Sequence, residues 1–288
     1  MADTFAPAPS ARSDFWRRAR RNPNVVIGGS IVALILLASL IGPTLVGIDP
    51  NDVDVLGAWA EPGPDHLLGG DALGRDILAR LLLGGRVSLL IAASVLAITL
   101  TVGTTLGMLA GYLGGWVDSI IMRTVDLVFA FPEIIFAILV ASMMGAGWPT
   151  VVIALSLVWW PGIARMARSL VLSLKSEMFI EAAVASGTPT HRILFRHFLP
   201  NIVAPLIVRA SIGVGFIIMA EATLSFLGIG VQEPTPTWGG MIRDGLPVLR
   251  TDPYLALFAS AALGVTLVGF NLLGDGLRDI LDPRVRER

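Results

Sequence analysis

The sequence has no cysteine, which removes disulfides, thiolate chemistry and cysteine-ligated metals from consideration. It has a single lysine, Lys175, and no G-x-x-x-x-G-K-[ST] phosphate loop. A process driven by nucleotide would therefore need the nucleotide on another polypeptide. Histidine is scarce as well. His66, His191 and His197 all lie outside the apolar runs, and no H-E-x-x-H is present. The last two are six residues apart, a poor spacing for sharing a metal on one helix face. They read as solvated helix-surface histidines, and no metal site is expected. Nor is there a histidine or carboxylate pair at membrane depth of the kind an intramembrane protease would want. The chain reads as non-catalytic.

Charge is also in short supply. Of 288 residues, 15% are charged and 54% hydrophobic, and the mean hydropathy is +0.75, beyond what a soluble surface tolerates. The apolar residues fall in six runs at about 25–48, 87–111, 119–144, 148–165, 203–228 and 254–274, each near the ~20 residues that cross a bilayer core as a helix. The expected fold is an all-α polytopic membrane protein with six transmembrane helices in a lipid bilayer.

Arginine placement orients it. Arg12, Arg17, Arg18, Arg20 and Arg21 precede the first run, Arg278, Arg284, Arg286 and Arg288 follow the last, and Arg168, Lys175, Arg192 and Arg196 lie in 166–202. The opposite side holds Arg75, Arg80, Arg86, Arg243 and Arg250. The positive-inside rule puts both termini and the 166–202 insert in the cytoplasm. The expected organisation is then a cytoplasmic leader (1–24), a first span (25–48), an extracytoplasmic segment (49–86) and a five-helix core (87–274). That core includes the 166–202 insert and an extracytoplasmic loop at 229–253, and a cytoplasmic tail (275–288) follows. The first run suits a signal anchor better than a cleaved signal, and MADTFAPAPSARS before it reads as disordered.

Within 49–86, DALGRDILARLLLGGR is amphipathic. Ile77, Leu78, Leu81 and Leu82 share a face opposite an Asp76–Arg80 i,i+4 pair, which predicts a short helix lying at the interface. The Pro and Gly content of 229–253 predicts an ordered loop rather than a helix. No inverted-topology repeat is visible.

Several ionisable residues fall in or near spans, where charge is costly and usually faces a bundle interior or a water-filled path. Asp126, Glu133 and Glu221 are the candidates for such a path. Arg123 and Asp126, at i,i+3, are expected to pair with each other, and Arg209 to snorkel to the interface. Glu221 has no obvious partner in sequence and could line a route or cap local backbone.

The insert contains EAAVASGTPTHRILFRHFLPN at 181–201. A helix is predicted over 177–186, with Ala182, Ala183 and Ala185 giving a smooth surface, and Gly187 ends it. Thr188 is a plausible N-cap for a second helix with Pro189 at its first position. That helix sets Ile193, Leu194 and Phe198 on one side and Arg192 and Arg196 on another. The spacing predicts a helix–turn–helix of fixed shape, although an amphipathic connector on lipid headgroups would carry similar residues. A few charges beside a membrane do not make a nucleic-acid surface.

These residues resemble the EAA-x3-G-x9-I-x-LP pattern of membrane subunits of ABC importers. Glu181, Ala182, Ala183, Gly187, Leu199 and Pro200 fill it, and His197 stands where the pattern has an apolar residue, as in the RHxLPN ending of the peptide-transporter branch. FWRRARRNPN, HLLGGDALGRDILARLLLGGRVSL and EATLSFLGIGVQEPTPTWGGMI, in that order, are similar to segments of the C-type permease of dipeptide, oligopeptide and nickel importers. The likeness spans about residues 14–282. The resemblance implies a type I ABC importer permease fold in a bacterial inner membrane and a homologous B-type permease sharing the path. It also implies two ATPase subunits or one fused ATPase carrying ATP and Mg, an extracytoplasmic substrate-binding protein, and no cofactor on this chain. It makes the insert the ATPase-coupling element, with Glu181, Ala182, Ala183, Gly187, Thr188, Pro189, His197, Leu199 and Pro200 as its residues. Dipeptides or oligopeptides are the implied solute, with a nickel chelate, glutathione or another small peptide-like solute as alternatives. A proton-coupled secondary transporter working through Asp126, Glu133 or Glu221 is the alternative of a different class.

Overall fold

The computed structural model describes residues 11–281. Of the stretch 1–13 that reads as disordered, residues 1–10 lie outside that range and 11–13 are helical; the end of the basic tail, 282–288, also lies outside it. Eleven helices account for most of the described chain, and the β-structure among these residues is one isolated bridge between Gly70 and Asp76.

After α1 (Ala11–Arg21), Asn22 starts α2 (Pro23–Val46). Its side-chain oxygen accepts from the Asn24 and Val25 amides at 2.9 and 3.2 Å, and Pro23 fills a first-turn position where an N–H would be unpaired anyway. α3 (Ile77–Leu113) begins at Asp76, which accepts from the Ala79 amide at 2.8 Å. Its 37 residues extend about 55 Å, well beyond a ~30 Å hydrocarbon core. The expected separate helix in 49–86 is therefore absent. Residues 77–86 are the first turns of α3, because nothing between Arg80 and Val87 interrupts its hydrogen bonding. The chain before Asp76 is turns and one 3-10 turn, Val55–Gly57.

The largest helix–helix contact sets α3 against α6 (Trp148–Leu174). Gly103, Gly107 and Gly111 recur every fourth residue and let the backbones approach. A Cβ on Gly107 would stand 2.4 Å from the Ala164 carbonyl oxygen, and one on Gly103 2.8 Å from that of Trp160. Close approach over small residues is how helices gain packing energy where lipid removes the hydrophobic drive. α2 crosses α11 (Tyr254–Leu281) in the same way, at Gly28 and Gly269.

The third apolar run is not one helix. α4 (Gly115–Phe129) and α5 (Glu133–Met144) meet at 93°. Pro132 lacks the amide that would continue α4 and pushes Phe131 out of helical conformation. Among the described residues five helices are long and apolar enough to cross a membrane, or six if the bent pair is counted as one span.

The insert follows α6 as α7 (Met178–Ala185) and α8 (Thr190–Arg192). A π-helical stretch, Ile193–Phe198, then feeds α9 (Leu199–Phe226). At the other end, 229–253 is not merely a loop. It contains α10 (Trp238–Gly245) and a 3-10 turn, Leu246–Val248. Its glycines sit inside a helix because neighbours leave no room for side chains. A Cβ on Gly239 would be 2.2 Å from the Ala222 carbonyl oxygen, and one on Gly245 2.7 Å from the Ala256 nitrogen.

α10 closes over the start of α3, with Trp238 Nε1 donating to the Leu81 carbonyl at 3.0 Å. Beside it lies a charge cluster that replaces the expected Asp76–Arg80 pair. Arg75 Nε donates to Asp71 at 2.7 Å and its Nη1 to Glu233 at 2.6 Å. Arg80 Nη2 donates to Glu233 at 2.9 Å, and Arg80 Nε is 3.3 Å from Asp71. Asp76 instead lies 3.2 Å from His66 Nδ1. Burial works against the Arg75 cation, but hydrogen bonds to Glu233 and Asp71 outweigh it and hold its pKa above the usual guanidinium value.

Candidate functional site

The insert is a defined helix–turn–helix. α7 ends in a Schellman turn, with Gly187 N–H donating to the Val184 carbonyl at 2.9 Å and Thr188 N–H to the Ala183 carbonyl at 3.1 Å. Gly187 takes φ +73° to allow it, in the left-handed region that costs other L-residues energy. The second helix starts one residue later than the sequence suggests. Pro189 is its cap and accepts from the Arg192 and Ile193 amides through its carbonyl, so Thr188 belongs to the turn rather than capping the helix.

One side of this helix–turn–helix is anchored. Ala183 is buried, and Ile180, Ile193, Leu194 and Phe198 join Met108, Ala167, Val171 and Ile202 in a core shared by α3, α6 and α9. Phe198 packs on Tyr112 with ring centroids 5.7 Å apart, and Lys175 Nζ donates to the Tyr112 carbonyl at 2.7 Å. The other side is open. Glu181, Ala182, Ala185 and Gly187 are exposed, together with the apolar Met178 and Val184. Of the smooth alanine face, Ala183 turns inward as an anchor and its two neighbours face out. Pro200 is exposed in the first turn of α9, while His197 and Leu199 are half-buried. The π-helical stretch puts Ile193, Leu194 and Phe198 inside and leaves Arg192 and Arg196 exposed. Its irregular hydrogen bonding left no mark in the apolar pattern.

The charges in the spans are arranged differently from their sequence neighbourhoods. Asp126 pairs with Arg165 of α6 at 2.6 Å, not with Arg123, and Arg165 also lies 4.6 Å over the Phe129 ring. The i,i+3 spacing gave Arg123 and Asp126 the opportunity to pair, but α6 brings its arginine closer. Arg209 and Glu133 are both exposed in the chain taken alone. They line a cavity of about 220 Å³ with Phe129, Val158, Trp159, Gly162 and Phe216. Glu221 is fully buried, accepting from Ser225 Oγ at 2.8 Å through one oxygen, while its other oxygen has no partner among the described residues. It therefore sits inside the packing, whereas Asp126 and Glu133 are exposed.

A set of apolar spans and a bent span pair, with polar segments folded at both ends, defines a multi-pass helical membrane protein. A family model described as a binding-protein-dependent transport system inner membrane component matches residues 103–287. A second, described as the N-terminal TM domain of oligopeptide transport permease C, matches residues 10–62. The glutathione transport system permease protein GsiD of Pectobacterium atrosepticum is 42% identical over 276 residues, covering 95% of this chain and 91% of that one. The dipeptide transport system permease protein DppC of Alkalihalophilus pseudofirmus is 38% identical over 275 residues, covering 94% and 90%. The oligopeptide transport system permease protein OppC of Bacillus subtilis is 36% identical over 274 residues, covering 95% and 90%. The chain belongs to the family of binding-protein-dependent transport system inner membrane components, and within it to the C-type permease subunits.

Proposed function

We propose that this chain is one of two permease subunits of an ATP-driven importer for dipeptides or oligopeptides in a bacterial inner membrane. A B-type permease completes the path, two ATPase subunits or one fused ATPase bind ATP and Mg, and an extracytoplasmic binding protein delivers the solute. Both termini and the insert face the cytoplasm. The names of the relatives support peptides, and glutathione is itself a peptide-like solute. Family membership also favours the ATP-driven reading over a proton-coupled transporter.

The observation that carries this reading is the two-sided insert, anchored by Ile180, Ile193, Leu194 and Phe198 and presenting Glu181, Ala182 and Gly187 outward. ATP bound elsewhere can bias the spans only if the docked states differ in free energy between two membrane conformations. A connector rigid on its inner side and exposed on its outer side transmits that difference, whereas a lipid-lying connector would turn its apolar side to the bilayer. The test is extraction of the tagged chain with its genomic neighbours in mild detergent, with partners identified by intact mass. Recovery of a second permease and nucleotide-binding chains in fixed ratio is expected. Recovery of this chain alone, under conditions that preserve known complexes, would count against the assignment.

A further inference from the structure

The cavity between α4, α5, α6 and α9 holds one acid and one base that the chain itself leaves unsatisfied. Glu133 and Arg209 line the same space of about 220 Å³, and neither makes a side-chain hydrogen bond or ion pair among the described residues. Two acids of α4 do have partners. Asp126 has Arg165, and Asp118 has Arg168 at 2.6 Å. Unpaired charges among span residues are costly and persist where water or a ligand compensates them. The backbone break at 130–132 adjoins the cavity through Phe129 and Glu133. Such irregular backbone at membrane depth is tolerated where it lines a cavity or is buried in protein.

Three of the five other lining residues are aromatic. Trp159 and Phe216 have ring centroids 6.2 Å apart, and Phe129 completes the set. A guanidinium suits a carboxylate through paired hydrogen bonds, and a carboxylate beside aromatic faces suits an ammonium. The volume is below the roughly 300–1,000 Å³ of sites that enclose a whole drug-sized ligand. A space of that size would take the charged main chain of a small solute and leave its side chains at the open mouth.

We propose that Glu133 and Arg209 form a zwitterion-binding half-site in the translocation path, Arg209 taking the carboxylate of a dipeptide and Glu133 its ammonium. This inference rests on the peptide-importer reading. Recognition through terminal charges is indifferent to side chains, as passage of many different peptides through one path requires.

The test uses the assembled importer in nanodiscs of phosphatidylglycerol, so that no zwitterionic lipid competes. Binding of Ala-Ala, its C-terminal amide and its N-acetyl derivative is read by saturation-transfer NMR. Blocking either end is expected to weaken binding about tenfold, the scale of one lost charge-assisted hydrogen bond. Arg209→Gln should weaken Ala-Ala about as much and leave the amide unchanged; Glu133→Gln should do the same with the N-acetyl derivative as the insensitive probe. No binding, or both variants binding all three probes like the wild type, overturns the half-site. So does loss of the second permease from either variant, since the charge would then pair across the subunit boundary. Loss of Ala-Ala binding in a parallel set of nanodiscs that contain phosphatidylethanolamine would overturn it as well, assigning the cavity to lipid. Wild-type ATP-driven uptake of Ala-Ala in parallel proteoliposomes separates the two levels. Uptake without these binding differences sinks the half-site alone, and absence of ATP-driven uptake sinks the importer reading with it.

Discussion

Arg80 Nη2 donates to Glu233 Oε1 at 2.9 Å, tying the first turn of α3 to a loop 153 residues further along the chain. Arg80 is almost wholly buried, at 2% side-chain exposure, while Glu233 is 43% exposed. Asp71 and the Pro50 carbonyl complete the arginine's surroundings. This junction holds 47–76 and 229–253 together over one end of the bundle. Removing one partner from a buried pair usually costs 3–5 kcal/mol, and the exposure of Glu233 reduces that here.

Arg80→Met should therefore destabilise the protein by about 2 kcal/mol, with Glu233→Gln costing less. Thermal unfolding in detergent, followed by tryptophan fluorescence, measures the first effect. Limited proteolysis should show new cleavage within 229–253 for Arg80→Met. An unchanged melting temperature and cleavage pattern would mean that the two segments hold together without this contact.

The α3–α6 contact predicts a second effect. Gly107→Ala puts a methyl 2.4 Å from a backbone oxygen, which neither helix can relieve without moving. Overpacking of this kind costs about 1–3 kcal/mol, and Gly107→Leu should cost more. Gly264→Ala, where a Cβ meets nothing within 4 Å, is the control and should be neutral in the same melting experiment.

Asp126 and Arg165 are both more than half exposed within the chain. Asp126→Asn should cost under about 1 kcal/mol, and Arg123→Gln should not alter the melting temperature. A clear loss with Arg123→Gln and none with Arg165→Gln would restore the pairing that i,i+3 spacing suggests and contradict the observed geometry.

The spans and the turn at Gly187 were legible in the sequence because both are local. Apolar length fixes a span, and E-A-A-V-A-S-G-T-P carries its own stop signal. What the sequence hid depends on distant neighbours. Asp126 has an arginine three residues away and pairs with one 39 residues away. Arg80 has Asp76 at the preceding turn and uses Glu233 instead. The glycines at 239, 240 and 245 read as breakers, yet they form α10 because α9 and α11 press against two of them. Pro132 was visible, but an unbroken apolar run masked the bend it produces. For the candidate site, the motif located the insert, whereas its anchoring against Tyr112 and Met108 required the fold. The shared cavity of Glu133 and Arg209 joins residues that nothing in the sequence connects.

The central claim is that the insert couples ATPase motion to the spans, and Gly187 tests it most directly. The residue is exposed, and a Cβ there would meet nothing within 4 Å. A substitution therefore acts through φ +73° alone. Asparagine tolerates that conformation and valine does not. ATP hydrolysis and peptide uptake are measured together in proteoliposomes holding the complete importer. The account predicts that Gly187→Val inserts and assembles normally but loses uptake, while Gly187→Asn keeps most of it. Full uptake by Gly187→Val would contradict the account.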